Sequence, residues 1–540
     1  MASESLKSNK IFNDARERVY GGISLELMPY KNEGVTDFSV EENKEAMLRA
    51  LERVRSGFGR TYPLCIGGHE QITDSIIESR NPSNPDEIVG RVYAADEELA
   101  GKAVETAAEA FDSWSRKSAR YRADCLIKAA AIMRRRKFEL SAIMVYEAGK
   151  PWLQADADIA EAIDFLEYYA REAMRLHKGG KVHPYPGEST NYRYIPLGVG
   201  AIIPPWNFPS AILTGMTSAA LVSGNTVVLK PASATPIIGA KVAEILYDAG
   251  IPGGVLNFVP GSGSTVGDAL VKHPLTRFVS FTGSLEVGTN IYESAAIVRE
   301  GQHWLKRVIT EMGGKDALIV DDPCDCALAA DAAVTSAFGY QGQKCSACSR
   351  VIVVESVYNA FMKELMERVG ELNVGDPEDA DIDMGPVSSD EAYEKVMRYI
   401  AIGKEEATLA HGGGRVGKIG YFIEPTVFVD VDPHARIAQE EIFGPVLSVI
   451  KARDFDEALY IANDTIYGLT GGIITNDRDH IERTKNEFHV GNLYINRKIT
   501  GSLVGVQPFG GYKMSGTCSK AGGPDYLLLF MQPKTIIERL

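Results

Sequence analysis

Between residues 195 and 320, five short apolar, β-rich runs alternate with helical stretches such as TPIIGAKVAEILYDAG at 235 to 250. The runs are VGAII near 199, NTVVL at 225, VLNFV at 255, RFVSF at 277 and KRVIT at 306. Strands separated by helices cannot pair as hairpins, so they lie parallel, joined by right-handed crossovers that cover both faces of the sheet. The pattern predicts an open, doubly wound α/β sheet. Ligands of such sheets sit beyond the carboxyl ends of the strands, which directs attention to PPWNFP, KPAS, PGSGS, TGSLEVG and EMGGK.

Around this segment, apolar periodicity predicts helices at 40–57, 95–114, 119–148 and 152–176. After 320 a second alternation begins, with a helix at 328–340, a thiol-bearing loop, a strand at 350–354, a helix at 357–370 and further βα units to near residue 510. With 540 residues the chain exceeds one core, and this half reads as a second α/β domain. The tail DYLLLFMQPKTIIERL, 525 to 540, is apolar and β-like. An exposed edge of that kind invites aggregation, so it is expected to pair with another subunit.

Composition removes several function classes. The formal charge of -15 repels nucleic acid, and no basic patch offsets it. From Ile195 to Leu229 no residue is charged, yet Pro196, Pro204, Pro205, Pro209, Asn207 and Asn225 would break a membrane-spanning helix and leave polar groups in lipid. The opening residues, with Glu4, Asp14 and Glu17, carry neither the apolar core of a secretory signal nor the charge pattern of a transit peptide, so a cytoplasmic location is expected. Seven cysteines, odd in number and irregularly spaced, suit a reducing compartment.

Thiol chemistry is the first candidate. Cys324 and Cys326 form C-x-C, and Cys345 and Cys348 form C-x-x-C inside GQKCSACSR. Neither pair has histidines at finger-like spacing, so no metal centre is predicted. Simple burial stays open for Cys324, Cys326 and Cys348, and a redox pair for the C-x-x-C, as a reversible Cys345–Cys348 disulfide. Cys345 stands apart because Gly342 and Lys344 before it would allow close approach and a positive field favouring thiolate. Glu311 ends a strand before two glycines, where a carboxylate serves as a base toward water or as a helix cap. In PPWNFP, Asn207 offers an amide either to a developing oxyanion or to local backbone. The chain lacks G-x-G-x-x-G after a strand, and GSGSTVG at 261 to 267 has other spacing. TGSLEVG opens a helix whose N–H groups can hold a pyrophosphate, and Lys230 stands where ribose hydroxyls would lie.

PWNFP, KPAS, FTGSLEVG, EMGGK, GQKCSACSR, EEIFGPV and PFGGYKMSG, in this order, resemble the aldehyde dehydrogenase superfamily from near residue 25 to the C-terminus. YPLCIGG, EAIDFLEYYAR and EFHVGNLYINRKITGSLVGVQPFGG are similar more narrowly to its 1-pyrroline-5-carboxylate dehydrogenase branch. The resemblance implies two doubly wound α/β domains plus a small β oligomerisation flap. Its parts would be 25–176, the N-terminal helical part of the cofactor domain; 177–194, the flap; 195–312, the Rossmann-type NAD domain; 313–515, the catalytic domain; and 516–540, a C-terminal oligomerisation strand.

It further implies that Cys345 attacks the aldehyde, that Asn207 and the Cys345 N–H hold the oxyanion, and that Glu311 activates water against the thioester. Trp206, Lys230, Ser233, Gly283, Ser284, Glu441 and Phe443 would contact NAD. Ser233 occupies a position where NAD-selective relatives often carry glutamate, so some use of NADP is expected. Ser346, Gly501 and Ser502 would grip the α-carboxylate of glutamate semialdehyde, with Phe208 and Phe509 along its stem. A homo-oligomer, at least a dimer, and functional coupling to a proline dehydrogenase follow as expectations. Alternative activities are another semialdehyde dehydrogenase, a CoA-acylating dehydrogenase, which the retained Glu311 disfavours, a cysteine hydrolase, which lacks a histidine in an evident motif, and a catalytically silent binding protein.

Overall fold

The computed structural model describes residues 29 to 540, and Asn32–Leu540 form one unit. Two seven-stranded sheets organise it. In the first, the strand order is Arg307–Glu311, Thr276–Thr282, Val199–Ile203, Thr226–Leu229, Leu256–Phe258, Leu64–Ile66 and His69–Gln71. The first five, which are the runs expected from sequence, are mutually parallel. Leu64–Ile66 joins antiparallel at the far edge and turns back through Gly67 and Gly68, at φ +66° and +82°, a left-handed pair that a two-residue hairpin requires.

The second sheet runs Thr408–His411, Thr426–Val429, Val446–Ala452, Cys348–Val354, Asp316–Val320, Thr470–Ile474 and Asn492–Ile495. Only its Thr408–His411 edge is antiparallel. Four residues, Met312 to Lys315, separate the last strand of the first sheet from Asp316–Val320 of the second. The edge of one sheet therefore feeds directly into the middle of the other.

The uncharged segment from Ile195 to Leu229 is the buried strand Val199–Ile203, the buried helix Ala211–Val222 and the buried strand Thr226–Leu229. Asn225 makes that burial tolerable. Its Oδ1 accepts from the Leu197 and Gly198 N–H groups at 2.7 and 2.9 Å, and its Nδ2 donates to the Ala220 and Phe530 carbonyls at 3.1 and 2.9 Å. Every polar atom of the amide is thereby satisfied, as a buried position demands. Among the described residues no helix is long and apolar enough to cross a membrane.

Three expectations change. The part read as helical, 25–176, also holds a three-stranded sheet of Thr61–Tyr62, Asn84–Tyr93 and Ile76–Asn81. These strands are half-exposed and rich in Glu, Arg and Asn, so they lack the continuous apolar run that marks a buried parallel strand. The stretch 119–148 is two helices, Ala119–Arg135 and Lys137–Ala148, divided at Arg136 where the backbone leaves helical geometry. The C-terminal strand Met531–Arg539 pairs antiparallel with Glu188–Pro196 of its own chain, and the latter strand overlaps the expected flap and ends two residues past it.

Candidate active site

The carboxyl edge of the first sheet and the loop before Cys348–Val354 meet at the candidate nucleophile. The helix Cys326–Phe338 ends in a turn, Gly339–Gly342, in which Tyr340 and Gln341 hold left-handed backbone at φ 55° and 54°. Such residues cost about 1–3 kcal/mol each and persist only where neighbours enforce them. Here Tyr340 Oη donates to the Ala148 carbonyl at 3.2 Å, while Gln341 Nε2 donates to the carbonyls of Gly149 at 2.9 Å and Pro386 at 2.8 Å. Gly342 follows at φ +68°, where a Cβ would lie 2.3 Å from the Gly444 carbonyl oxygen. The turn that delivers Cys345 is thus held from outside.

The electrostatics reverse one expectation. Burial, followed by the carboxylates of Asp316, Glu441 and Glu311, pushes the Cys345 thiol up. Lys344 supplies only a weakened positive field, because burial and the cations of Lys150 and Lys498 push its ammonium down to about 7. A thiol pushed up in this way attacks most readily with a base to take its proton.

Glu311, the last residue of its strand, is within electrostatic reach of that thiol. Burial pushes its carboxyl up to about 7 against the lowering effect of its donors. Oε2 accepts from the Gly511 N–H at 2.8 Å, and Oε1 accepts from the Ser519 N–H at 3.1 Å and the Ser519 hydroxyl at 2.5 Å. A carboxyl poised near neutrality in a closed site is suited to proton abstraction. Asn207 is buried, and its Nδ2 donates to the Gln343 carbonyl at 3.0 Å. It therefore bonds the loop of the nucleophile and not its own neighbourhood.

The residues expected to hold a dinucleotide lie at the carboxyl ends of the first sheet and across from it. Lys230 is buried, and its Nζ donates to the Pro231 and Gly261 carbonyls at 3.1 Å each, with burial pushing it down to about 8. Two acceptors leave one ammonium hydrogen for a ligand hydroxyl. Exposed Ser233 donates weakly to the same Gly261 carbonyl at 3.4 Å. Ser284 caps the helix Leu285–Ala296 by accepting from the Val287 N–H, and Gly283 donates to the Glu311 carbonyl at 3.1 Å. Glu441 accepts from the Gly314 N–H at 3.0 Å, and Phe443, at φ 61°, meets Trp206 edge-to-face with centroids 5.5 Å apart. A free helix N-terminus, a lysine with a spare donor and a carboxylate beside the nucleophile fit a pyrophosphate and two riboses.

On the other side, Ser346 follows the nucleophile, and its carbonyl accepts from Thr470 Oγ1 at 3.4 Å. Gly501 turns at φ +78°, and the Ser502 hydroxyl shares a 2.6 Å hydrogen bond with Tyr494. Phe509 exchanges backbone hydrogen bonds with Ala521 at 2.9 and 2.7 Å. The Phe208 ring meets Tyr340 edge-on at 6.3 Å.

Sequence reasoning missed what stands behind Phe208. Fully buried Lys150 pairs with fully buried Asp158 at 2.6 Å and lies 4.2 and 4.4 Å from the ring centroids of Phe208 and Tyr340. Beside this pair, burial and Asp158 push the Glu161 carboxyl up to about 8, while Lys150 and Lys344 pull it down. The signal was present as Asp158, Glu161 and Asp164, acids at every third position in the middle of the amphipathic helix Trp152–Leu176, where Ala and Ile surround them. Ser519 and Lys520 were missed as well. Lys520 donates to the Gly510 carbonyl at 3.0 Å and to Asn492 Oδ1 at 3.2 Å, and it lowers Glu311.

Cys348 is packed rather than reactive. It is buried in the apolar cluster of the second sheet, its thiol donates to the Arg350 carbonyl at 3.3 Å, and burial pushes it up to about 12.

Residues 69–536 match the aldehyde dehydrogenase family model. The 1-pyrroline-5-carboxylate dehydrogenase of Geobacillus thermodenitrificans is 59% identical over 512 residues, 95% of this chain and 99% of the relative. A solved structure of 1-pyrroline-5-carboxylate dehydrogenase from Thermus with bound NAD is 54% identical with a TM-score of 0.94, covering 96% of this chain and 100% of that one. Proline utilization A from Bdellovibrio bacteriovorus is 45% identical with a TM-score of 0.93, over 95% of this chain and 53% of that one.

Proposed function

The chain belongs to the aldehyde dehydrogenase family, and from that premise we propose that it oxidises L-glutamate 5-semialdehyde, the open form of 1-pyrroline-5-carboxylate, to L-glutamate. The observation that carries the chemistry is the meeting of the Cys345 loop, bonded by the Asn207 amide through the Gln343 carbonyl at 3.0 Å, with Glu311 held at its strand end by Gly511 and Ser519, and the 59% identical relative supports the substrate.

Glu311 takes the Cys345 proton as sulfur adds to the aldehyde carbon, giving a thiohemiacetal. The Asn207 amide and the Cys345 N–H stabilise its oxyanion. Lys230, Ser284, Glu441 and Phe443 would hold NAD, which would supply the hydride acceptor and so the oxidising power. Glu311 releases the first proton to solvent before water attacks the thioester left on Cys345, and it then takes the proton of that water. Cys345 leaves as thiolate and is reprotonated, which restores the resting site. Exposed Ser233 places no carboxylate against a 2'-phosphate, so some turnover with NADP accompanies NAD.

An α-amino acid semialdehyde carries a carboxylate and an ammonium. Ser346, Gly501 and Ser502 offer hydroxyl and backbone donors to the first. The Glu161 carboxyl, pushed up to about 8 by burial, would give up its proton and pair with the second when that cation is placed beside it. Phe208 and Phe509 flank the aliphatic stem. The similarity to proline utilization A supports coupling to a proline-oxidising step that supplies this substrate. The pairing of Glu188–Pro196 with Met531–Arg539 leaves two strand edges for a homo-oligomeric contact, and at least a dimer is expected.

Mixing the wild-type protein with NAD and glutamate semialdehyde, quenching in acid within the first turnover and weighing the Cys345 peptide tests the chemistry. A glutamyl thioester on Cys345 is expected, and Glu311→Gln, which lacks the base, is expected to form far less of it. A wild-type peptide that stays unmodified while NAD is reduced removes the covalent route.

A further inference from the structure

The two sulfurs in mutual contact are not those of the C-x-x-C loop. Cys324 Sγ and Cys326 Sγ lie 3.8 Å apart, both partly exposed, on the connection from the strand Asp316–Val320 to the helix Cys326–Phe338. Among the described residues no group of three metal-ligating side chains forms there, so the pair is left with thiol chemistry of its own.

The backbone around both sulfurs is fixed. The Asp321 N–H donates to the Ile474 carbonyl at 3.1 Å, and the Asn476 N–H donates to the Pro323 carbonyl at 2.7 Å. Asp325 caps the helix by accepting from the Leu328 N–H at 3.0 Å. Both cysteines pack against the apolar cluster that also holds Cys348, Ala329 and Ala330. The sulfurs are therefore held near each other by contacts that do not involve them, and closing to a bond of about 2.0 Å needs side-chain rotation rather than unfolding.

We propose that Cys324 and Cys326 are a redox-active dithiol that closes to an intramolecular disulfide by exchange with low-molecular-weight disulfides, a modification site apart from the nucleophile. The Cys326 sulfur attacks the external disulfide, forming a mixed disulfide and releasing one thiolate. The Cys324 sulfur then attacks Cys326, and the second thiolate departs. Both cysteine protons end on the released thiols, so the protein loses two electrons and two protons and the external disulfide gains them. This order follows from the environment of Cys324, whose thiol is pushed up to about 12 by burial first and by adjacent Cys326, Asp322 and Asp321 next. Such a thiol resolves a neighbouring mixed disulfide more readily than it opens an external one. The closed form fastens the entry of the helix whose far end carries the Tyr340–Gln341 turn.

The reduced full-length protein is exposed to glutathione disulfide, quenched in acid with alkylation and digested, and the peptide carrying both cysteines is weighed. A two-hydrogen loss, reversed by dithiothreitol, is expected for wild type, while Cys324→Ser holds one glutathione on Cys326. Cys326→Ser is expected to collect several-fold less adduct. A peptide of unreacted mass, or one carrying glutathione that never closes, overturns the proposal. Equal adduct on both single variants overturns the assigned order.

Discussion

The Ser519 hydroxyl donates to Glu311 Oε1 over 2.5 Å, so a residue 208 positions further along the chain steadies the base as an anion. Burial works in the opposite direction, and the balance leaves Glu311 at about 7. Turnover is expected to fall as pH drops through about 7 because the protonated carboxyl no longer accepts the proton of thiol or water. Ser519→Ala removes a donor to the charged form and raises Glu311 further, which moves the acid limb of the kcat profile to higher pH, whereas Ser519→Thr restores it. An unchanged limb in the alanine variant, with the protein folded, would separate Ser519 from the base.

Asn207→Ala removes a donor that is itself positioned by the Gln343 carbonyl. Loss of one oxyanion donor typically lowers kcat by about 100- to 1000-fold, and NAD affinity, followed by fluorescence titration, is expected to stay within a few-fold. Equal loss of NAD binding would indicate a collapsed pocket.

Glu161→Gln tests recognition of the ammonium. The variant should raise KM for glutamate semialdehyde by about tenfold or more, roughly 1.4 kcal/mol. Succinic semialdehyde, which lacks the amino group, should be affected far less. A uniform rise for both substrates would assign Glu161 a structural part with Lys150 and Asp158.

Gly342→Ala places a Cβ 2.3 Å from the Gly444 carbonyl oxygen at φ +68°. Strain of this kind costs about 1–3 kcal/mol, seen as a lower melting temperature. Because the turn aims Cys345, alkylation of that thiol by iodoacetamide should slow together with turnover. Wild-type alkylation at a reduced melting temperature would uncouple the turn from the nucleophile.

The parts legible in the sequence were those that repeat a physical pattern. All five parallel strands from Val199–Ile203 to Arg307–Glu311 appeared where the pattern placed them, four of them as buried runs between helices and Arg307–Glu311 as the half-buried edge. Charged, half-exposed strands such as Asn84–Tyr93 carry no such run, and their pairing depends on partners distant in sequence. In the site, Cys345, Glu311 and Asn207 could be singled out because each stands in a loop or at a strand end with few alternative roles. Ser519 and Glu161 were hidden, one as a serine among glycines and the other as one more acid on a helix. The positive field expected at Cys345 failed because desolvation of Lys344 and three nearby carboxylates outweigh a neighbouring lysine in sequence.

The central claim is that this chain oxidises an amino acid semialdehyde through Cys345. The most direct measurement is formation of reduced nicotinamide from NAD with glutamate semialdehyde, beside succinic semialdehyde and propanal, with Cys345→Ala as control. A kcat/KM highest for glutamate semialdehyde and abolished in the variant is the predicted result. Faster turnover of succinic semialdehyde or propanal would contradict the substrate assignment, and activity retained without the thiol would contradict the mechanism.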